Sequence, residues 1–253
     1  MKKIIQNIFL AVFFAAVYAG IAFSQETNDS ISFEEISIGS EINLGTWTFD
    51  NDGKVKPVVW LVAEKYMEDK SLLLVSKYVI ENMSFSNETN NASGTDNIIV
   101  EINWNSSKIR EWLNSFFYEH AFTKEDKGHI MLETVSSGIN PKYKKDIGPD
   151  VQDHLFLLSI AEYEKFSNII KSIKGRKGPL AKATPYLNPN IKTFLGYPWF
   201  WLRTSGKDYK NVASVSPIGR INYRGYSYME KGGVRPALRY SINALPKNAA
   251  TAK

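Results

Sequence analysis

Apolar and polar residues alternate from Ile36 to Leu44 and again through Trp47-Thr48-Phe49, the period-two pattern of half-buried strands. Asp50-Asn51-Asp52-Gly53 separates these from a third strand over Val55–Val62, and its Asp-Gly pair suits a hairpin turn. Leu72–Val75 is a short, wholly apolar run, as expected of a central strand, and Ser84–Asn97 is a Ser/Asn/Thr loop with nothing to pack. The period then changes. Ile109, Trp112, Leu113, Phe116 and Phe117 recur at i, i+3, i+4, i+7 and i+8, which predicts a helix over Ser106–Phe117 with one buried stripe. Asn105 or Ser106 is placed to cap its start, and Thr123 to open a further helical turn with Asp126 at its positive end.

A second helix follows Leu155–Leu158. Ser159 and Glu162 form a capping box, Tyr163, Phe166, Ile170 and Ile173 supply the apolar face, and Gly175 ends it. A basic turn, Gly175-Arg176-Lys177-Gly178-Pro179, leads into a Pro/Asn loop reaching Asn190. Short strands return at Trp199–Arg203, Val212–Val215, Ile221–Tyr223 and Val234–Tyr240, punctuated by glycines. Strands, two helices and strands again predict an α+β domain and not the repeating unit of a parallel sheet.

Ahead of all this lies an address. Met1-Lys2-Lys3 is positive, Ile8–Phe23 is almost unbroken apolar sequence, and Ala22 and Ser24 stand three before and directly before a cut ahead of Gln25. That layout predicts a secretory signal peptide over residues 1–24, with an uncleaved anchor as the alternative. The expected organisation continues with a flexible leader at 25–35, a single domain at 36–243 and a tail at 244–253. No later segment is apolar and long enough to span a membrane, so the expected location is extracytoplasmic, secreted or periplasmic. The absence of cysteine removes disulfides, thiolate metal sites and a thiol nucleophile, and leaves stability to a core rich in aromatic residues.

Charge divides the chain. Residues 25–164 carry 12 Lys and Arg against 24 Asp and Glu, a net of −12, while residues 165–253 carry 17 against two, a net of +15. Either the halves neutralise each other on folding, or the basic half presents a positive face to an anionic partner.

Candidate chemistry is sparse. There is no nucleophile elbow, P-loop or dinucleotide fingerprint, and Thr204-Ser205-Gly206-Lys207 lacks the leading glycine of a phosphate loop. Asp153 and His154 are neighbours that a strand would point to opposite faces, and His120 and His129 flank a turn. The carboxylate pairs Glu34-Glu35 and Glu125-Asp126 would suit glycoside hydrolysis only inside a cleft. No metal ligand set or cofactor motif is found. What stands out is aromatic and basic. Tyr197, Tyr223, Arg224, Tyr226 and Tyr228 form the candidate ligand-binding set, because tyrosine faces stack on sugar rings and arginine grips carboxylate or phosphate. Trp112, Trp199, Trp201, Arg203 and Arg235 are expected to be structural, with the two arginines paired to buried carboxylates of the acidic half.

The ordered string Pro57-Val58-Val59-Trp60, Ser71–Ser76, Trp104-Asn105, Ile109–Asn114, Phe156–Ser159, Trp199–Thr204 and Gly232–Leu238 resembles an uncharacterised family of bacterial exported domains. The closing strands also look like those of C-type-lectin-like folds, including the formylglycine-generating-enzyme group. That second resemblance implies a twisted antiparallel sheet flanked by two main helices, with first and last strands paired; the long loops at 176–197 and 204–232 are expected to be the variable binding surface. The catalytic cysteines of that enzyme group and the calcium-and-sugar motifs of animal lectins have no counterpart in this chain. The resulting expectation is an exported, non-enzymatic binding module for an anionic glycan, a cell-envelope polymer or a protein partner. Nucleic acid is not expected as a partner. The alternatives are an envelope hydrolase with a scattered active site and a structural protein that docks by charge.

Overall fold

The structure, a computed structural model, describes residues 32–48, 54–86, 102–144, 148–183 and 193–242. The signal segment, the Asp50–Gly53 turn, most of the Ser/Asn loop, the Pro/Asn loop and the C-terminal tail lie outside the described residues.

Two five-stranded sheets form the framework. Their strands are β1 (Glu41–Thr48), β2 (Val55–Tyr66), β3 (Ser71–Ser76), β4 (Glu81–Ser84), β5 (Leu155–Leu157), β6 (Phe200–Ser205), β7 (Asn211–Val215), β8 (Ile221–Ser227), β9 (Lys231–Val234) and β10 (Pro236–Ser241). The first sheet has the order β1-β2-β3-β10-β5 and is antiparallel throughout. The second runs β8-β7-β6-β9-β4 and is antiparallel except where β6 meets β9 in parallel. The apolar run Leu72–Val75 is the middle strand of the first sheet and is buried on both faces. Strands outweigh helices, so the α+β reading stands, with more β-structure than two flanking helices around one sheet. The last strand pairs with β3 and β5, whereas among the described residues β1 pairs only with β2. The expected pairing of first and last strands is therefore not what this chain adopts.

The helices are α1 (Lys108–Trp112), which continues through a π-helical turn at Leu113–Phe117 into α2 (Tyr118–Ala121), then α3 (Lys124–His129) and α4 (Ile160–Lys174). Ser107, and not Asn105 or Ser106, caps α1 by accepting from the Arg110 amide. Because a π-turn holds an extra residue, it breaks the i, i+3, i+4 stripe: Ile109, Leu113 and Phe117 are buried, but Phe116 is 52% exposed. Ser159 forms the expected capping box of α4 and Gly175 closes that helix, while Thr123, expected to open α3, does so through a capping box with Asp126. Tyr163, Phe166 and Ile170 face inward from α4, while Ile173, in its last turn, lies outside the core. Within the expected flexible leader, Phe33–Glu35 form a 3-10 turn that buries Phe33, and Lys65 donates to the carbonyls of Phe33 and Ile36.

Three fully buried tryptophans anchor the core, each with its indole N–H satisfied. Trp60 donates to the Leu44 carbonyl at 2.8 Å, Trp104 to the Asp153 carboxylate at 2.8 Å and Trp201 to the Met83 carbonyl at 3.0 Å.

The sheets are joined at one residue. Arg235 alone separates β9, in the second sheet, from β10, in the first. Its side chain is buried, donates to the carbonyls of Ser76 at 2.8 Å and Pro179 at 2.6 Å, and lies over the rings of Phe166 and Phe200. The expected carboxylate partner is missing among the described residues: Arg235 is held by backbone oxygens and aromatic faces. Burial pushes its pKa down to about 10, so it remains a cation at neutral pH. Arg203 does meet a carboxylate of the acidic half, a half-buried one instead of the buried one expected. It forks onto Glu162 and also donates to the carbonyls of Ser136 and Leu157, tying β6 to α4 and to β5.

Candidate functional site

Strands take up just over half of the stretch 204–232, in the end of β6, all of β7 and β8 and the start of β9. β8 lies at the edge of the second sheet and carries three of the candidate ligand-binding residues. Its pairing with β7 slips between Tyr226 opposite Val212 and Asn222 opposite Ser214. The slip is a bulge centred on Gly225, whose φ of 78° belongs to the left-handed region and whose missing Cβ would sit 2.2 Å from the Val212 carbonyl oxygen. Such a bulge re-aims the side chains beside it, and Arg224 and Tyr226 on either side are both exposed. No carboxylate among the described residues pairs with Arg224.

Tyr226 packs its ring 4.7 Å from Trp199, which is half-buried and meets the buried Trp201 edge-on at 4.8 Å. Gly232 lies beneath this pair: a Cβ there would fall 2.3 Å from Trp199 and 2.6 Å from the Trp201 indole nitrogen. The three rings thus run from solvent into the core over a strand that leaves them room.

The other candidates part from this group. Tyr223 turns to α4, where its hydroxyl donates to Glu164 at 2.6 Å and the Lys142 ammonium sits 4.3 Å from its ring centre. That hydrogen bond, with some burial, raises its pKa. Tyr228 is buried, its backbone bonded to Lys210, Phe85 and Ser86, so its ring does not belong to the exposed aromatic face. Tyr197 is half-buried in a short hairpin of Thr193–Phe194 and Tyr197–Pro198. Of the residues expected to be structural, Trp201, Arg203 and Arg235 are buried, Trp199 lies between core and surface, and Trp112 stacks on Phe117 while meeting Trp47 edge-on.

A second feature has no counterpart in the sequence analysis. A cleft of about 280 Å³ opens between the first sheet and α4. Its apolar lining includes Ala63, Leu73, Val135, Phe156 and Phe166, all buried. Its charged groups are Glu64, Glu133, Glu162, Lys165, Arg203 and Arg239. Only Glu162 and Lys165 share an element, α4, and the other four charges come from separate places in the chain, which hides the cluster from any search for spaced motifs. The surrounding residues explain their states. Burial alone would raise the Glu162 pKa, but the Arg203 charge, its hydrogen bonds and the Ser159 amide hold it below its ordinary value. Burial and then the nearby Glu64 charge push the Tyr66 hydroxyl up to about 12.

The carboxylate pairs considered for hydrolysis are not in this cleft: Glu35 and Asp126 reach back to the N-cap residues Ser32 and Thr123. Asp153 accepts from Trp104 and Arg110, and burial nevertheless raises its pKa, while His154 stacks on Tyr118 at 4.6 Å. Among the described residues no group of three or more histidine or acidic side chains is placed to hold a metal ion, and no helix is long and apolar enough to cross a membrane.

Residues 68–241 match a catalogued family, the domain of unknown function DUF6273. Neither a curated protein nor a solved structure matches the chain.

Proposed function

The chain belongs to the DUF6273 family, and we propose that it is an exported binding module without enzymatic activity, whose ligand is an anionic glycan or cell-envelope polymer. The observation that carries this reading is the exposed Tyr226 stacked on Trp199, next to Arg224 on the bulged edge strand. An aromatic face beside an uncompensated guanidinium fits a ring that bears a carboxylate or phosphate. Basic residues elsewhere on the chain favour the same ligand class: Lys171, Lys174 and Arg176 to Lys177 at the end of α4, and Arg220, make no ion pair with any described residue. An edge strand is also open to an extended chain, which a polymer supplies.

The unpaired basic residues also support a second reading, in which the protein docks on an acidic partner by diffuse charge. Salt separates the two. Purified protein is titrated with anionic polysaccharides and envelope polymers at low and physiological salt, beside the Arg224→Ala/Tyr226→Ala double variant. Binding that persists at physiological salt, where the Debye length is about 8 Å, and weakens at least about tenfold in the variant is the expected result. Binding that vanishes with salt supports charge docking, and no binding to any polymer refutes the glycan reading.

A further inference from the structure

We propose that the cleft between α4 and the first sheet is a separate site for one small zwitterion, an apolar α-amino acid. Only some of the cleft's charges are fully committed to partners. Arg203 is fully engaged by Glu162 and two carbonyls, so that pair is wall. Arg239 is held by the Ser71 hydroxyl at 2.7 Å and Asp69 at 2.6 Å, and its guanidinium lies 4.0 Å from the Tyr66 ring centre. It reaches Glu133 only at 3.4 Å, and Tyr66 reaches Glu64 only at 3.4 Å. Two groups are therefore loosely held, the Glu133 carboxylate and the Tyr66 hydroxyl, while Lys165 pairs closely with Glu64 but does so from a side chain that is 58% exposed.

An ion pair with one exposed, long-chain partner contributes little to stability, so it separates at small cost. A zwitterion entering between Lys165 and Glu64 exchanges that ion pair, and the long Glu133–Arg239 contact, for three ion pairs. Its ammonium takes Glu64 and Glu133, its carboxylate takes Lys165, and no charge is left stranded. A simple amine or a simple acid would leave one of the separated partners without a counter-charge. The apolar lining then receives the side chain. At about 280 Å³ the cleft lies just below the usual range of small-molecule sites, which suits a single residue and excludes a polymer. The site shares no residue with the Tyr226 face and does not depend on its role.

The test is calorimetric titration of the full chain with leucine and phenylalanine, and with two leucine analogues, 3-methylbutylamine (no carboxylate) and 4-methylpentanoate (no amine). The expected result is saturable binding of at least one amino acid, and, for leucine, about tenfold weaker binding of both analogues. Glu133→Gln and Lys165→Met should each weaken the amino acid about tenfold, whereas Arg224→Ala/Tyr226→Ala leaves it unchanged. Both cleft variants remove groups with exposed or long contacts, and circular dichroism checks their folding. If neither amino acid binds, if an analogue binds as tightly as leucine, or if both folded cleft variants bind normally, the proposal is wrong.

Discussion

Replacing Arg235 tests how the two sheets are held together. The guanidinium makes two hydrogen bonds to backbone carbonyls, at 2.8 and 2.6 Å, and lies 5.3 and 5.1 Å from the ring centres of Phe166 and Phe200. Hydrogen bonds from a charged donor contribute about 1.5–3 kcal/mol each, and each desolvated ring contact adds on the order of 1 kcal/mol. Opposing them is the burial of a cation without a carboxylate, which costs several kcal/mol. Arg235→Met keeps the apolar stem and relieves that charge burial but loses every polar contact. The expected net loss is about 2 kcal/mol. Arg235→Ala also empties the space of the stem, which raises the loss to about 5 kcal/mol. Urea unfolding followed by both tryptophan fluorescence and far-UV circular dichroism measures both variants, and coincident curves license the two-state treatment. If Arg235→Met proves as stable as the parent, charge burial outweighs the contacts and the residue does not staple the sheets.

Two further changes probe the cleft and the edge strand. The folded-state pKa of Glu162 lies below its ordinary 4.5, so its contribution is complete above that value and is lost as pH falls toward the folded pKa; the urea midpoint should drop on acidification below about pH 4.5, and by less in Glu162→Gln. Gly225→Ala places a methyl group 2.2 Å from the Val212 oxygen at a φ of 78°, so it should cost at least about 1–3 kcal/mol and weaken polymer binding by moving Tyr226; a variant with unchanged stability would show that the bulge is not constrained.

Period and caps made much of the framework legible. The caps at Thr123 and Ser159 and the run Leu72–Val75 depend on neighbours within a few residues, which is the range a sequence pattern reports. The misreadings have equally local causes. The π-turn at Leu113–Phe117 shifts the helix phase by one residue, which no 3.6-residue stripe anticipates. Glycines at 206, 219 and 225 were signals of loop between 204 and 232, yet Gly225 serves a bulge inside β8. Tyr228 illustrates the limit for sites: two residues from the exposed Tyr226, it is buried, because its fate depends on contacts from Phe85 and Lys210 far along the chain. The cleft was beyond reach for the same reason.

Its residues nevertheless explain the strongest signal the sequence held. Four ion pairs join the acidic half to the basic half: Glu64 with Lys165, Glu162 with Arg203, and Asp69 and Glu133 with Arg239. All but Asp69 line the cleft, so the seam where the two halves neutralise each other is also where a small polar cavity forms. Neutralisation is incomplete, however. The pairs use three basic residues of the second half, against a net excess of 15 in sequence, so they leave Arg220, Arg224 and the basic end of α4 without carboxylates among the described residues. The two readings of the charge division are therefore not rivals. Charges at the seam close the fold around the cleft proposed for a zwitterion, and the charges left over belong to the surface proposed for a polyanion. Binding at the two places should accordingly respond differently to salt: polymer affinity falls as ionic strength rises, while amino-acid affinity, with no net charge on the ligand and a low-dielectric lining, changes much less. Equal salt dependence at both places would break this division of labour.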